Sequence, residues 1–256
     1  MNSVINFKNN QTSPVRETEI SDGVKGTILQ PTYLPWLGYF EMIGSSDVFV
    51  VFDHVQFERK SWQQRNKIKT PNGEAWLSVP VKKMPRKTRI CDIEISYNQG
   101  DPLKNHLKTM EMAYKKTPFF EKYEPFFSKI YSKKYTLLRD LNVDIIGLIC
   151  GILGFKTEFI FSSELDLDDN NLEKTEKVVN LCKKAGIGHL YDAKGAEKIL
   201  DKSQFEKNGV EISFQNFRHP EYPQLWGEFI PYLSVVDLIF NQGEKSFSII
   251  KSGVNV

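Results

Sequence analysis

The chain is short of the features that would assign it at a glance. It has three cysteines, Cys91, Cys150 and Cys182, far apart and odd in number. That excludes a disulfide framework and points to a reducing compartment. Its four histidines, His54, His106, His189 and His219, share no metal-ligand spacing, so no zinc site is expected. There is no G-x-x-x-x-G-K-[ST] phosphate loop, no G-x-G-x-x-G turn and no G-x-S-x-G elbow. Repeats and low-complexity tracts are absent. No apolar run approaches the roughly 18 residues of a membrane span. The greasiest segment, Leu137 to Leu153, carries Arg139, Asp140, Asn142 and Asp144 and reads as a core helix. The first residues hold no apolar signal segment, and a cytoplasmic protein is expected.

What is present is an ordinary globular composition, 40% hydrophobic and 26% charged over 256 residues, enough for one large domain or two small ones. Net charge is only +2, but it is unevenly spread. Between Gln56 and Arg89 ten Lys and Arg face only Glu58 and Glu74, a local charge of +8 that leaves the remainder at −6. Aromatics make up 12%, including four Trp, which suits stacking pockets as well as cores.

The chain is organised around Gly26 to Phe40. Thr27 to Leu29 reads as a strand. Gln30 to Gly38 is a loop stiffened by Pro31 and Pro35, and a helix starts at about Tyr39. Asp47 to Asp53 is a buried strand with a carboxylate at each end, completing a β-α-β unit. Ligands of open α/β sheets gather at the carboxyl ends of strands, beside helix N-termini. Gln30, Tyr33, Trp36, Gly38 and Tyr39 therefore become candidate binding residues, with Asp53 beside them. The same aromatics also suit a hydrophobic lid over the core.

Thr70 to Gly73 predicts a turn between two hairpin arms, Asn66 to Lys69 and Glu74 to Val79. Arg65, Lys67 and Lys69 on that hairpin suit a diphosphate, with Tyr33, Trp36 and Trp62 placed to stack on a base or sugar. A solvated basic face is the alternative. Nucleic acid fits less well, because the cations are local rather than spread along a groove. Ile90 to Ile95 alternates as a strand would. Asp101-Pro102 and Thr117-Pro118 each predict a helix start, so a helical block spans about 101–153. The order then returns to strand, helix, strand, helix, strand, ending in a short helix over Ser234 to Phe240. These elements predict an α/β fold with a mostly parallel, Rossmann-like sheet, a hairpin and a helical insertion. A polar tail covers 1–24 and a single domain 25–256. His219, in a proline-fixed loop between Arg218 and Tyr222, is a candidate for proton transfer alongside Asp53. Asp47 and Asp53 are candidates to hold a Mg²⁺ ion that arrives with a nucleotide.

Several blocks together resemble the WbqC-like protein family. They are Gln30 to Phe40, Asp47 to Val50, Asp53 to Phe57 with Gln56, and Ser61 to Lys69 with Trp62, Arg65 and Asn66. His106 to Tyr114, Ser162 to Glu164, Glu173 to Thr175 and Phe229 to Asn241 also match. The resemblance covers the chain from about Gly26 onward. It implies a place in bacterial O-antigen or other surface-polysaccharide synthesis, with a glycine-transferase role suggested for some members. It carries no established catalytic residues. A fainter likeness, of Pro35 to Tyr39 and the flanking elements, is to the H-x-G-H nucleotidylyltransferases and pantothenate synthetase. Both histidine positions hold aromatics here, Trp36 and Tyr39. The expectation is a transferase or amide-forming ligase acting on a nucleotide sugar, with ATP and Mg²⁺ as candidate cofactors. A non-catalytic nucleotide-, glycan- or partner-binding module is the alternative.

Overall fold

The computed structural model describes residues 23–168 and 171–254. The expected polar tail lies outside them but for its last two residues. Strand β1 (Lys25–Leu29) leads through the proline-stiffened loop to helix α1 (Leu37–Gly44) and strand β2 (Val48–Val51). A hairpin follows, β3 (Arg65–Thr70) and β4 (Gly73–Ser78), then helices α2 (Pro102–Tyr114), α3 (Phe120–Tyr131) and α4 (Leu138–Leu153). The chain finishes with β5 (Glu158–Phe161), α5 (Lys174–Lys184), β6 (His189–Asp192), α6 (Lys202–Lys207), β7 (Glu211–Phe214), α7 (Val235–Gln242) and α8 (Ser246–Ser252).

Five strands form one parallel sheet in the order β5-β2-β1-β6-β7. Numbered among themselves, that is 3-2-1-4-5, the doubly wound Rossmann order. The chain winds outward from β1 to β5, then crosses back to β6 and winds the other way. Its switch point, the place where ligand crevices of such sheets lie, falls between β1 and β6. The hairpin is a separate two-stranded antiparallel sheet.

Strand alternation divides the core in two. Phe49 and Val51 of β2 join the larger cluster, built with α1, the α2–α4 block, α7, α8 and the hairpin. Val48 and Val50 face the smaller cluster beneath α5 and α6. Caps set several helix starts. The Asp101 carboxylate accepts from the Leu103 and Lys104 amides ahead of Pro102, and Glu173 with Glu176 forms a capping box on α5. The Ser234 hydroxyl accepts from Val236 N–H at α7.

Three expectations change. Ile90–Asp92 is a 3-10 turn rather than part of a strand; its flanks make only isolated bridges, Val81 to Ile95 and Glu94 to Leu137. Thr117 does not start α3, because its hydroxyl donates to the Tyr114 carbonyl and closes α2 instead. The helix over Ser234 to Phe240 is not the last, since α8 follows it.

Candidate functional site

The carboxyl edge has two halves. On the β2–β5 side, Asp53 leaves β2 fully buried. Its Oδ1 accepts from the Ser162 hydroxyl at 3.0 Å and the Ser163 amide at 2.9 Å. Its Oδ2 accepts from the Ser163 hydroxyl at 2.8 Å and from Arg139 at 3.0 Å. A buried carboxylate is tolerated only when so satisfied. Four donors occupy Asp53, so it organises the edge and has no lone pair left over for a substrate proton. Arg139, reaching in from α4, also pairs with Asp140. It is a cation at the strand ends that the sequence did not single out. Asp47 cannot share a Mg²⁺ ion with Asp53: the length of β2 separates them, and Asp47 accepts from the Lys25 amide at the opposite edge. Among the described residues no group of three or more His, Cys, Asp or Glu is placed to hold a metal.

The loop after β1 is packed as tightly as its prolines suggest. Tyr33 is wholly buried, and its hydroxyl sits 2.8 Å from His106 Nδ1 and 2.7 Å from the Tyr131 hydroxyl. Burial drives the Tyr33 phenol well above its ordinary pKa and lowers His106 to about 4. Tyr33 therefore has no face to offer a ligand. Tyr39 is also buried, donating to the Gln30 carbonyl at 3.1 Å. Leu34 is held at φ 47°, in the left-handed region. A side chain on Gly38 would overlap the Trp36 indole, because that ring folds back over the first turn of α1. The space that a glycine there would leave for a ligand is filled by the protein's own indole.

The hairpin docks directly on this loop. Tyr33 N–H donates to the Trp62 carbonyl at 2.9 Å, and the Asn66 amide donates to the Leu34 carbonyl at 2.6 Å. Gln63 donates to the Gln30 side chain at 2.8 Å, and Asn142 ties Pro31 to Gln63. The two pieces meet along a hydrogen-bonded seam. The cations then diverge. Lys69 is buried and its amine donates to Gln224 Oε1 at 3.0 Å and to the Glu228 carbonyl; desolvation lowers its pKa. Lys67 pairs with Glu74. Arg65 lies 4.4 Å over the Trp76 ring, with the Lys67 amine 5.2 Å from the same ring. Trp62 and Trp76 are 51% and 45% exposed, with ring centroids 5.6 Å apart. Large indoles seldom stand so open. Gln56 is exposed and bridges Arg89 at the edge of this surface.

On the β6–β7 side, Asp192 ends β6 at the switch point, and burial raises it to about 6. Gln215, just past β7, donates to the Gly38 carbonyl at 2.8 Å and to Glu41 of α1. Phe217 and His219 follow. The His219 ring is ringed by Phe217, Tyr222, Phe229 and Tyr232 at centroid distances of 5.2–6.3 Å. Trp36 closes on Phe217 and Tyr232. The structure thus brings Trp36, Gly38 and His219 together, and Trp62, Arg65 and Lys67 together, with Gln30 between. Lys69 instead lines a separate cavity of about 430 Å³ with Trp226 to Ile230. Asp192 and Gln215 lay outside every motif, and Ser162 and Ser163 lay in a matching block without being singled out as site residues. The position just after a parallel strand was the one signal that could have found them.

A doubly wound α/β protein with an aromatic-rich carboxyl edge is the class this arrangement defines. The chain belongs to the WbqC-like protein family, whose model matches residues 30–249. It is 31% identical over 227 residues to a protein of Mycobacterium tuberculosis named "Uncharacterized protein Rv1507c", a match that covers 87% of this chain and 95% of that one. No solved structure matches it. No helix among the described residues is long and apolar enough to cross a membrane.

Proposed function

We propose that the protein is a transferase or amide-forming ligase acting on a phosphate-linked sugar in surface-glycan assembly. The observation that supports this reading is the open Trp62–Trp76 pair with Arg65 and Lys67 against it, joined by hydrogen bonds to the loop leaving β1. Flat rings stack on exposed indoles, and a planar guanidinium grips phosphate oxygens. Arg65 brings a buried Nε with no partner of its own. A nucleotide sugar laid across the platform would point its reacting end toward Gln30 and the switch point. Amide formation needs an activated carboxyl group, which Mg²⁺-ATP would supply; a transferase would take an activated donor instead.

Calorimetry with a panel of uridine, thymidine and guanosine diphosphate sugars tests this. Trp62→Ala with Trp76→Ala should weaken binding by about 1–3 kcal/mol per stacked ring. Arg65→Ala should weaken it as well. Unchanged affinity in all three variants would remove the platform from the account. Incubation of the bound sugar nucleotide with amino acids, with and without ATP, then separates ligase from transferase. A non-catalytic binder is the second reading, favoured by the saturation of Asp53; detection of any turned-over product excludes it.

A further inference from the structure

His219 carries a feature that packing alone does not explain. Its Nδ1 lies 3.0 Å from the Pro220 carbonyl, an acceptor, so Nδ1 bears the proton. Nε2 is then an acceptor with a lone pair. It is buried and has no hydrogen-bond partner. Buried acceptors are nearly always satisfied, and a bare one calls for a donor from outside the fold. The imidazole itself packs against Phe217, Tyr222, Phe229 and Tyr232, and Trp36 packs against Phe217 and Tyr232 in turn. Tyr222, stacked on the imidazole, donates its hydroxyl to buried Asp237 at 2.9 Å. An aromatic wall favours a cation through its ring quadrupoles, while the Asp237 field is already shared with Lys69. The Lys69 amine is taken up by Gln224 and the Glu228 carbonyl. Tyr232 forms the outer wall: it is 58% exposed and sits at φ 59°. Rotation of its side chain would open the box to solvent.

We infer that this aromatic box binds a protonated primary amine, whose N–H donates to His219 Nε2. The box stands on the loop that carries Trp36, so the amine would belong to the acceptor half of the reaction, an amino sugar or an amino acid. The inference rests on the reading of the protein as an amide-forming or transferring enzyme, and it names the substrate class at one end of that site. Selectivity follows from the chemistry. An N-acetylated amine has lost its charge and two of its donors, and a hydroxyl carries no charge.

Nitrogen-15 spectra of the imidazoles test it, with His219 assigned by its absence in His219→Phe. Glucosamine should move the His219 Nε2 resonance saturably, while N-acetylglucosamine and glucose should not. His219→Phe, which keeps a ring in the box, should weaken glucosamine roughly tenfold or more when read by calorimetry. His219→Gln, which restores an acceptor, should recover part of that loss. Tyr232→Leu alters an exposed side chain and should weaken the amine severalfold while leaving the fold intact. The inference is overturned if glucosamine gives no saturable shift, if N-acetylglucosamine binds equally, or if His219→Phe and Tyr232→Leu bind as the parent does. Loss of amine binding with nucleotide-sugar binding intact would sink the box alone. Amine binding without nucleotide-sugar binding would sink the sugar-phosphate reading alone.

Discussion

Asp237 shows how much one buried carboxyl can set. It lies on α7 with no exposed surface, and burial raises it to about 6 despite the Tyr222 hydroxyl on Oδ2. Below the unfolded value near 3.8 both states hold the proton, and the site is neutral in each. Between 3.8 and 6 only the folded state keeps it, so this group's contribution to stability falls as pH rises. Above 6 a fixed penalty of about 3 kcal/mol remains. Asp237→Asn mimics the protonated form and escapes that penalty. Urea unfolding should therefore show the variant gaining about 2.5 kcal/mol on the parent between pH 4 and pH 7.5, since a small part of the penalty is already present at pH 4. An unchanged difference at the two pH values would refute the assigned burial cost. Asp53 is instead held by four donors. Asp53→Asn would leave Arg139 facing an amide in place of its buried carboxylate, and about 3–5 kcal/mol should be lost on unfolding by denaturant. The sequence placed Asp53 at a strand exit. It could not show that the residue's own oxygens were already spoken for, since Arg139 and Ser162 lie 86 and 109 positions away. Tyr33 was hidden for the same reason, its partner His106 being 73 residues distant.

At the scale of elements, α1 depends on the pairing of Trp36 with Gly38. Trp36 is the N-cap residue but its side chain makes no capping hydrogen bond; the indole lies across the first turn instead. Gly38→Ala should push that ring off its seat and cost about 1–3 kcal/mol by overpacking. In a Trp36→Ala background the clash is gone and only helix propensity remains. There the same Gly38→Ala change should stabilise by up to about 1 kcal/mol. This reversal of sign in a double-mutant cycle, read from denaturation midpoints, tests the contact directly; additive effects would mean that the two residues do not touch. Elements with local signals were legible: the hairpin from its Pro-Asn-Gly turn, α2 from Asp101 and Pro102, and β2 from its unbroken apolar run. Ile90 to Ile95 misled because alternation records burial rather than pairing. Ile90, Ile93 and Ile95 are all buried, yet the backbone there coils into a 3-10 turn. The last helix escaped because Gly243 and a short turn separate it from α7, and its seven residues bury little beyond Ser246 and Ile250.

For the whole molecule, a parallel sheet could be read from the alternation of strand and helix patterns. Strand order could not, because it is fixed by side-chain packing across the two faces. That division has a consequence for cooperativity. Leu141, Ile145 and Ile149 of α4, Phe40 and Ile43 of α1, and Phe240 of α7 join one continuous core with the hairpin. The opposite face rests on fewer side chains, chiefly Val179 and Cys182 of α5, Phe205 of α6 and Leu190 of β6. β7 is an edge strand of only four residues. Local opening free energy follows buried apolar contact, so α5, α6 and β7 should open below the threshold for global unfolding. Native-state hydrogen exchange in rising urea should show their amides merging into an early event of shallow denaturant dependence. The amides of β1, β2 and α4 should exchange only with complete unfolding. Exchange of both groups at one common free energy would mean that the sheet couples its two faces into a single cooperative unit. Such coupling would also carry ligand binding at the Trp62–Trp76 platform across to β7. Protection of β7 amides on adding a nucleotide sugar would therefore rise in that case and stay flat in the one expected here.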